Sequence, residues 1–372
     1  MKILIALNHP AHYYLFKYIA KGLVQQNHDV QFVIREKDIL EKLLISENVA
    51  FTKLSEKKTT GQNKVNLMFY GLVKLIKQEF NLLNFVKKFR PTIMMGTDIA
   101  ITHVGTLLGI PSFVFNEDDF EINKWFCKAA YPFASYIVAP ECTNVGKYFK
   151  KKISYNGIQK LAYLDPNYFH QDISVLADLG LLPSEPYFII RLVSLTAGHD
   201  IDSMHKGINR TLLNKVINKL VPFGKVFISS ETELANELQK YKINLPPNRI
   251  HDLLASAKIF IGDSQSMCSE AGILGTPFIR FNDFVGKIKI LDEVENYYNL
   301  GWGIRTNEEE KLLSTIDHLL GIKDLKNIWK EKAKKLFEDK IDLTSFVIWL
   351  LENYPVSIRI TKENPDYQQR FR

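Results

Sequence analysis

One stretch of the chain indicates the fold most clearly: Gly262-Asp263-Ser264-Gln265-Ser266-Met267-Cys268-Ser269-Glu270-Ala271-Gly272-Ile273-Leu274-Gly275-Thr276-Pro277. It follows the apolar run 259–261, which has the length of a buried strand, and it opens with small and hydroxylated residues typical of a loop. A helical segment comes next, and Gly-Thr-Pro then marks the approach to another apolar strand. This order predicts one unit of a parallel α/β sheet.

The same alternation of apolar runs and helical segments extends along the chain in both directions. In the first half the predicted strands are 2–7, 30–34, 92–95, 112–115 and 136–138. In the second half they are 187–191, 225–229, 259–261 and 278–280. A helix is predicted at 12–26, where apolar residues recur with helical spacing. The expected fold class is therefore α/β, with two Rossmann-like doubly wound domains.

The chain is long enough for two domains, because 372 residues exceed what one hydrophobic core usually organises. Turn residues at 155–157 and 164–167 place the boundary there. The expected division is an N-terminal domain at 1–163, a C-terminal domain at 164–340, and a final helix and tail at 341–372. We expect that helix at about 343–354, followed by a polar, loosely held tail.

Composition restricts the class of protein. With 46% hydrophobic and 24% charged residues the chain resembles a soluble globular protein, and its apolar opening ends at Asn8, too early for a signal peptide or a membrane span. The cysteines are Cys127, Cys142 and Cys268. Their odd number and wide spacing predict reduced thiols, no metal site and a cytoplasmic location. A net charge of +7 favours an anionic partner.

The stretch that follows strand 259–261 has the chemistry of a diphosphate site. Ligands of open parallel sheets bind beyond the carboxyl ends of the strands, where loops lead into helices. Backbone N–H groups at such a helix start, with the hydroxyls of Ser264 and Ser266 beside Gln265, suit a diphosphate, and Glu270 suits ribose hydroxyls. The alternative is that Ser264 only caps the helix and Glu270 is solvated.

The run from Asp263 to Pro277 resembles the nucleotide-sugar loop of GT-B glycosyltransferases and of non-hydrolysing UDP-N-acetylglucosamine 2-epimerases. The resemblance is closer to the family called domain of unknown function 354, and it extends over most of the chain. Its other motifs lie at 8–12, 155–157, 161–164, 191–200 and 250–254. It implies a GT-B fold with two domains facing a central cleft and a UDP-sugar as substrate, with no metal or other cofactor.

The resemblance also implies roles for residues of the C-terminal domain. The segment containing Ile250 and His251 lies against the base, and Glu270 holds the ribose. Further nucleotide-sugar-binding candidates follow predicted strands: Arg191, Ser194, His199, Ser230 and Glu231. Among these, Arg191 is suited to neutralise the leaving diphosphate, although a structural ion pair explains it equally well.

The N-terminal domain is then expected to hold the acceptor, a glycan or lipid-linked molecule of unknown identity. His9 and His12 flank the start of the helix that follows the first strand, where a histidine can act as a general base. Asp98 and Glu117 follow later strands and are the other catalytic candidates. We expect the neighbouring Asp118 and Asp119 to cap the next helix.

Three functions remain open, and a glycosyltransferase of surface polysaccharide or glycoconjugate synthesis is preferred. The epimerases carry Gly-His-Arg-x-Glu-Asn after the first strand of the second domain, whereas this chain has Arg191 to Asp200, in which only His199 offers a replacement. A 2-epimerase is therefore the alternative, and a non-catalytic sugar-nucleotide-binding protein is the second.

The segment 64–90 mixes apolar residues with lysines and predicts a basic amphipathic helix. Such a helix is suited to peripheral contact with an anionic membrane on its inner face, beside a lipid-linked acceptor. The alternative is an ordinary crossover helix with its lysines in water. No nucleic-acid partner is expected, because the short basic runs 150–152 and 334–335 fit a solvated surface.

Overall fold

The computed structural model describes residues 1–35, 38–54, 67–193, 207–230 and 233–372, with backbone alone at 38 and 67–75. They form two units: unit 1 contains residues 1–168 and 340–372, and unit 2 contains residues 169–339. Within the described ranges, no helix combines the length and the apolar character needed to cross a membrane.

The described part of unit 1 is built on a parallel sheet of seven strands. The strands are β1 Lys2–Leu7, β2 Asp29–Ile34, β3 Phe51–Lys53, β4 Ile93–Gly96, β5 Ser112–Phe115, β6 Tyr136–Pro140 and β7 Lys152–Tyr155. The helices up to residue 168 are α1 Pro10–Gln25, α2 Asp38–Ser46, α3 Leu67–Phe89, α4 Ala100–Leu108, α5 Lys124–Ala130 and α6 Leu161–Leu164. The order across the sheet is β3-β2-β1-β4-β5-β6-β7, so it reverses between β1 and β4.

Unit 2 has five parallel strands among its described residues. They are β8 Tyr187–Leu192, β9 Lys225–Ser230, β10 Ile259–Gly262, β11 Phe278–Phe281 and β12 Gly301–Ile304. The helices are α7 Val175–Asp178, α8 Arg210–Leu220, α9 Ile250–Ser256, α10 Gln265–Ile273, α11 Lys289–Asp292, α12 Glu309–Gly321 and α13 Leu325–Asp339. The order β12-β11-β10-β8-β9 reverses between β8 and β10.

The two faces of the unit 1 sheet are covered by different helices. Alternate residues of β5 point to opposite faces: Phe115 packs edge-on against Phe16 of α1, with ring centroids 5.0 Å apart, whereas Val114 joins a buried cluster with Phe126 and Cys127 of α5. Right-handed crossovers accordingly place α1 and α2 on one face and α3, α4 and α5 on the other.

The nine strands predicted from the sequence are all present, which confirms the α/β fold class. The strands β3, β7 and β12 were not predicted, and each lies at an edge of its sheet. Edge strands are short and half-solvated, so their sequences lack the continuous apolar run of a central strand. In β12, moreover, two of the four residues are glycine.

The C-terminal segment completes unit 1 with α14 Leu343–Glu352 and α15 Val356–Glu363. The expectation of a loosely held tail was wrong. Buried Gln368 accepts a hydrogen bond from the Asn156 N–H at 2.7 Å and donates one to Glu141 Oε1 at 2.8 Å. These contacts join the tail to the end of β7, which a polar sequence alone does not reveal.

Candidate functional site

The first candidate cluster lies at the carboxyl edge of the unit 2 sheet, where the strand order reverses. Asp263 directly follows β10, and its Oδ1 accepts a hydrogen bond from the Val193 N–H at 2.8 Å. Asn282, which follows β11, donates to the Asp263 carbonyl at 2.9 Å. Asp263 therefore joins the loops after β8, β10 and β11 and fixes the path into α10.

The N-terminus of α10 presents polar groups at this edge. Ser264 is its N-cap, with a hydrogen bond of 3.4 Å from the Met267 N–H to Ser264 Oγ. Gln265 and Ser266 form the first turn and are half-buried. The capping role expected for Ser264 is thus present, and it leaves the positive end of the helix dipole at the sheet edge, where an anion is stabilised.

Glu270 lies one turn further along α10 and pairs with His251 of α9. The distance from His251 Nε2 to Glu270 Oε1 is 3.4 Å, and both residues are 5% exposed. The alternative of a solvated Glu270 was therefore wrong. The pair holds the carboxylate against its neighbouring helix, whose first residue is the half-buried Ile250.

Two further predicted residues lie at the same edge. Arg191 in β8 is in register with Ser229 and Gly262 of its neighbours, and its Nη1 donates to Ser229 Oγ at 2.8 Å. Ser230 ends β9 and is half-buried. The structure thus brings Arg191, Ser230 and the α10 N-terminus to one edge of one sheet.

Three predicted residues, Ser194, His199 and Glu231, lie outside the described residues and stay predictions. The chain on either side of 194–206 contacts Asp263. Val193 donates to its Oδ1, and a Cβ placed on Gly207 would lie 2.7 Å from its Oδ2. Gly207 is suited to this close approach because it has no side chain.

Cys268 in α10 is not a nucleophile candidate. It is fully buried, and its thiol contacts the Gly262 carbonyl at 3.8 Å. Burial raises the pKa of this thiol well above its usual value, so it stays protonated and inert near neutral pH.

The second candidate cluster lies where strand order reverses in unit 1. Asp98, which follows β4, is only 2% exposed and pairs with Arg35 beyond β2 at 2.7 Å. Asn8, which follows β1, donates from Nδ2 to Asp98 Oδ2 at 2.7 Å and to the Thr97 carbonyl at 3.1 Å. Asp98 Oδ1 also accepts from the Ile101 N–H at 3.2 Å at the start of α4. The Asp98 carboxylate is therefore held by three groups: the Arg35 guanidinium, the Asn8 amide and the Ile101 N–H.

His9 and His12 are both present at this edge, and both use Nδ1 as an acceptor. Exposed His9 is the N-cap of α1 and accepts from the Ala11 N–H at 3.2 Å. His12 accepts from the Asn8 N–H at 3.3 Å, and the two imidazole centroids are 6.0 Å apart. In a neutral imidazole whose Nδ1 accepts, the hydrogen is on Nε2. This geometry favours a donor role at Nε2 over that of a general base.

The carboxylate of Glu117, beyond β5, forms an ion pair with Lys160 and accepts from the Gln159 N–H at 3.3 Å. Glu117 and Lys160 are both largely buried. The pair joins the end of β5 to the turn before α6. These contacts hold the carboxylate in place, which suits a positioning role.

The expectation that Asp118 and Asp119 cap a helix was wrong. Helix α5 begins at Lys124, after Asn123, and Asp119 Oδ1 instead accepts from the Asn144 N–H at 2.7 Å. Burial, and then the charge of Asp119, raises the pKa of Asp118. The neighbouring carboxylate of Asp119 thus adds to the effect of burial on the pKa of Asp118.

Sequence reasoning missed the partners of the candidates: Asn8 and Arg35 around Asp98, and Lys160 beside Glu117. It also missed a buried fork in unit 2, in which Arg280 contacts Glu295 at 2.6 Å and 3.0 Å. Its signal was a charge inside the apolar strand Phe-Ile-Arg-Phe. Across the described ranges, no three His, Cys, Asp or Glu side chains cluster as metal ligands.

We predict that Asp98→Asn destabilises unit 1, because it leaves Arg35 without a counter-charge. Breaking a buried pair costs about 3 to 5 kcal/mol, and the lower end applies since Arg35 is 21% exposed. Urea unfolding measures the change, with Asp29→Asn as the control because Asp29 is exposed on β2. Equal stability of wild type and Asp98→Asn would show that the carboxylate does not hold this edge together.

Comparisons with known proteins agree with this fold. The UDP-GlcNAc 2-epimerase of Neisseria meningitidis, bound to UDP-GlcNAc, superposes with a TM-score of 0.65 at 12% identity over 95% of this chain and 100% of that one. Spinosyn forosaminyltransferase SpnP gives 0.61 at 13% identity over 95% and 98%. MnaA of S. aureus with UDP gives 0.64 at 12% identity over 96% and 98%. At these identities the likeness shows the fold alone, which is GT-B.

A sequence comparison with curated proteins gives no match. The family model described as "Protein of unknown function (DUF354)" matches residues 1–347. The chain therefore belongs to the DUF354 family.

Proposed function

We propose that this protein binds a nucleotide-diphosphate sugar on unit 2, with UDP as its nucleotide, and transfers the sugar to an acceptor hydroxyl held by unit 1. The observation that carries the proposal is the junction of β10 and α10. There the capped helix N-terminus, Arg191 and the buried Glu270–His251 pair lie at one sheet edge. The helix dipole and the guanidinium offset diphosphate charge, so the proposal includes no metal ion.

In this proposal, Glu270 accepts hydrogen bonds from the ribose hydroxyls, and His251 positions it. A carboxylate held by a neighbouring side chain loses little rotamer entropy when the ligand arrives. The N. meningitidis epimerase holds UDP-GlcNAc and S. aureus MnaA holds UDP, which supports a uridine nucleotide.

On unit 1 we assign Asn8 and His12 to the acceptor hydroxyl. Asn8 Nδ2 is committed to Asp98 and Thr97, while its buried Oδ1 has no hydrogen-bond partner among the described residues. Because Nδ1 of His12 accepts from the Asn8 N–H, the neutral imidazole has its ring hydrogen on Nε2. A hydroxyl both donates and accepts, so an acceptor oxygen suits this pair. The Arg35–Asp98 pair would hold Asn8 in position.

We prefer transfer to 2-epimerisation because both carboxylates among the catalytic candidates are engaged by basic side chains. Asp98 pairs with Arg35, and Glu117 pairs with Lys160. Elimination and readdition across a sugar ring need several acid and base groups that reach the sugar, whereas these two carboxylates already contact Arg35 and Lys160.

We predict that UDP binds in the presence of a chelator, as measured by isothermal titration. We also predict that Glu270→Gln weakens UDP binding about 10- to 150-fold, because the substitution removes a charge-assisted hydrogen bond. Glutamine keeps the shape beside His251, whereas alanine would open a cavity. Glu331→Gln, at an exposed position of unit 2, is the control.

The same titration with 2′-deoxy-UDP tests the ribose contact directly. If Glu270 holds the 2′-hydroxyl, the wild type prefers UDP and the Glu270→Gln variant loses most of that preference. A requirement for magnesium or manganese, or an unchanged preference in the variant, would contradict the proposed site.

We predict no deuterium at the sugar C2 when the protein is incubated with UDP-N-acetylglucosamine in heavy water. An epimerase exchanges this proton using the nucleotide sugar alone, whereas a transferase does not. Mass spectrometry of the recovered sugar measures the exchange. Deuterium at C2 would establish the epimerase, and absence of both exchange and transfer with intact UDP binding would indicate a non-catalytic binder.

The role of His12 is tested by two substitutions. As a hydrogen-bond donor, His12→Ala should lower kcat/KM about tenfold, whereas His12→Gln, which keeps an N–H, should retain most of it. The assay is release of UDP from UDP-N-acetylglucosamine, and His9→Ala is the neighbouring comparison. Losses of about 100-fold or more in both His12 variants would make His12 the general base.

A further inference from the structure

Helices α3, α4 and α5 form the outer layer on one face of the unit 1 sheet, and apolar side chains project from it into solvent. Phe80 is 60% exposed, Leu107 is 69% exposed and Trp125 is 68% exposed. Ile76, one turn before Phe80, and Phe133, beyond α5, are also exposed. We call these five residues and the exposed lysines of the three helices the α3–α4–α5 surface.

His103 of α4 holds the three helices of this surface together. Its Nδ1 lies 2.5 Å from Glu79 Oε1 of α3, and its Nε2 lies 2.9 Å from the Ala129 carbonyl of α5. Its ring also packs edge-on against Phe133, with centroids 4.6 Å apart. The exposed apolar groups therefore stand on one connected layer rather than on separate loops.

The charged residues of this layer are almost all basic. Its exposed lysines are Lys77, Lys87, Lys88, Lys124 and Lys128. The three helices contain a single acidic residue, Glu79, which is half-buried and engaged by His103. The surface therefore attracts anions and repels a second copy of itself.

We propose that the α3–α4–α5 surface docks on an anionic lipid membrane. Lysines attract anionic headgroups, while tryptophan, phenylalanine and aliphatic side chains enter the headgroup boundary. A nucleic acid would use the lysines but leave Ile76 and Leu107 in water, since aliphatic groups offer no stacking to a base. The apolar and basic groups together fit a lipid surface better.

The test is co-sedimentation of the full chain with phosphatidylcholine vesicles, with and without phosphatidylglycerol. We expect binding only to the anionic vesicles, weakened by added salt. Lys77→Glu/Lys128→Glu should lower the partition coefficient at least about 25-fold, since each lysine near an anionic surface contributes roughly fivefold and the two glutamates add repulsion. Lys21→Glu/Lys42→Glu changes net charge equally on exposed lysines of α1 and α2, at the opposite face, and should have little effect.

A second pair of variants tests the apolar part. Phe80→Ser/Trp125→Ser should weaken binding at least tenfold, because each substitution removes apolar area that the membrane would otherwise withdraw from water. Val24→Ser/Ile45→Ser, at exposed positions of α1 and α2, should not. All positions are exposed, so unchanged thermal melting is expected.

Failure of the wild type to bind anionic vesicles, or equal losses in the control variants, would overturn the proposal. Binding to duplex DNA without binding to vesicles would replace it with a nucleic-acid surface. Vesicle binding needs no nucleotide, so these results are independent of the proposed function.

Discussion

Each parallel sheet reverses its strand order at one point, and the candidate chemistry of both units depends on this constraint. At such a point the crossover connections leave in opposite directions, so the two adjacent loops separate and leave polar groups at the carboxyl edge. In unit 1 these loops carry Asn8 and Asp98, and in unit 2 they carry Val193 and Asp263. In both units an aspartate bridges the loops.

Asp98, the bridging aspartate of unit 1, belongs to a wider use of paired charges in buried positions. A buried ion pair contributes little net stability, because desolvation offsets most of the attraction, but its hydrogen bonds have directions that an apolar contact lacks. In unit 2, Arg280 and Glu295 meet in a fork beside Gly303, where a Cβ would collide with Glu295 Oε2. Burial raises the pKa of Glu295, and Arg280 opposes this effect. Gly303 of β12 is thus explained by a charge pair rather than by a turn.

The sequence predicted the central strands, because a strand buried on both faces must be continuously apolar. It also predicted which loops carry polar residues, since these directly follow the strands. It could not supply partners distant in sequence: Arg35 reaches Asp98 and Lys160 reaches Glu117 only after the strands take their order. The hydrogen bond that favours one tautomer of His12 likewise depends on the path of the backbone at Asn8.

The two faces of the unit 1 sheet differ in how deeply they are covered, and this difference explains the α3–α4–α5 surface. On the α1 face, α1 contacts α14 and α6, and Tyr14 stacks on Tyr163 with centroids 5.4 Å apart. Helix α1 therefore lies between the sheet and a further layer, and seven of its side chains are buried. Among the described residues, no comparable layer covers α3, α4 and α5, whose outward apolar groups remain in water. A lipid surface would remove this exposed apolar area from water, and its anionic headgroups would contact the lysines. The described part of the fold provides neither the apolar cover nor the anionic partners.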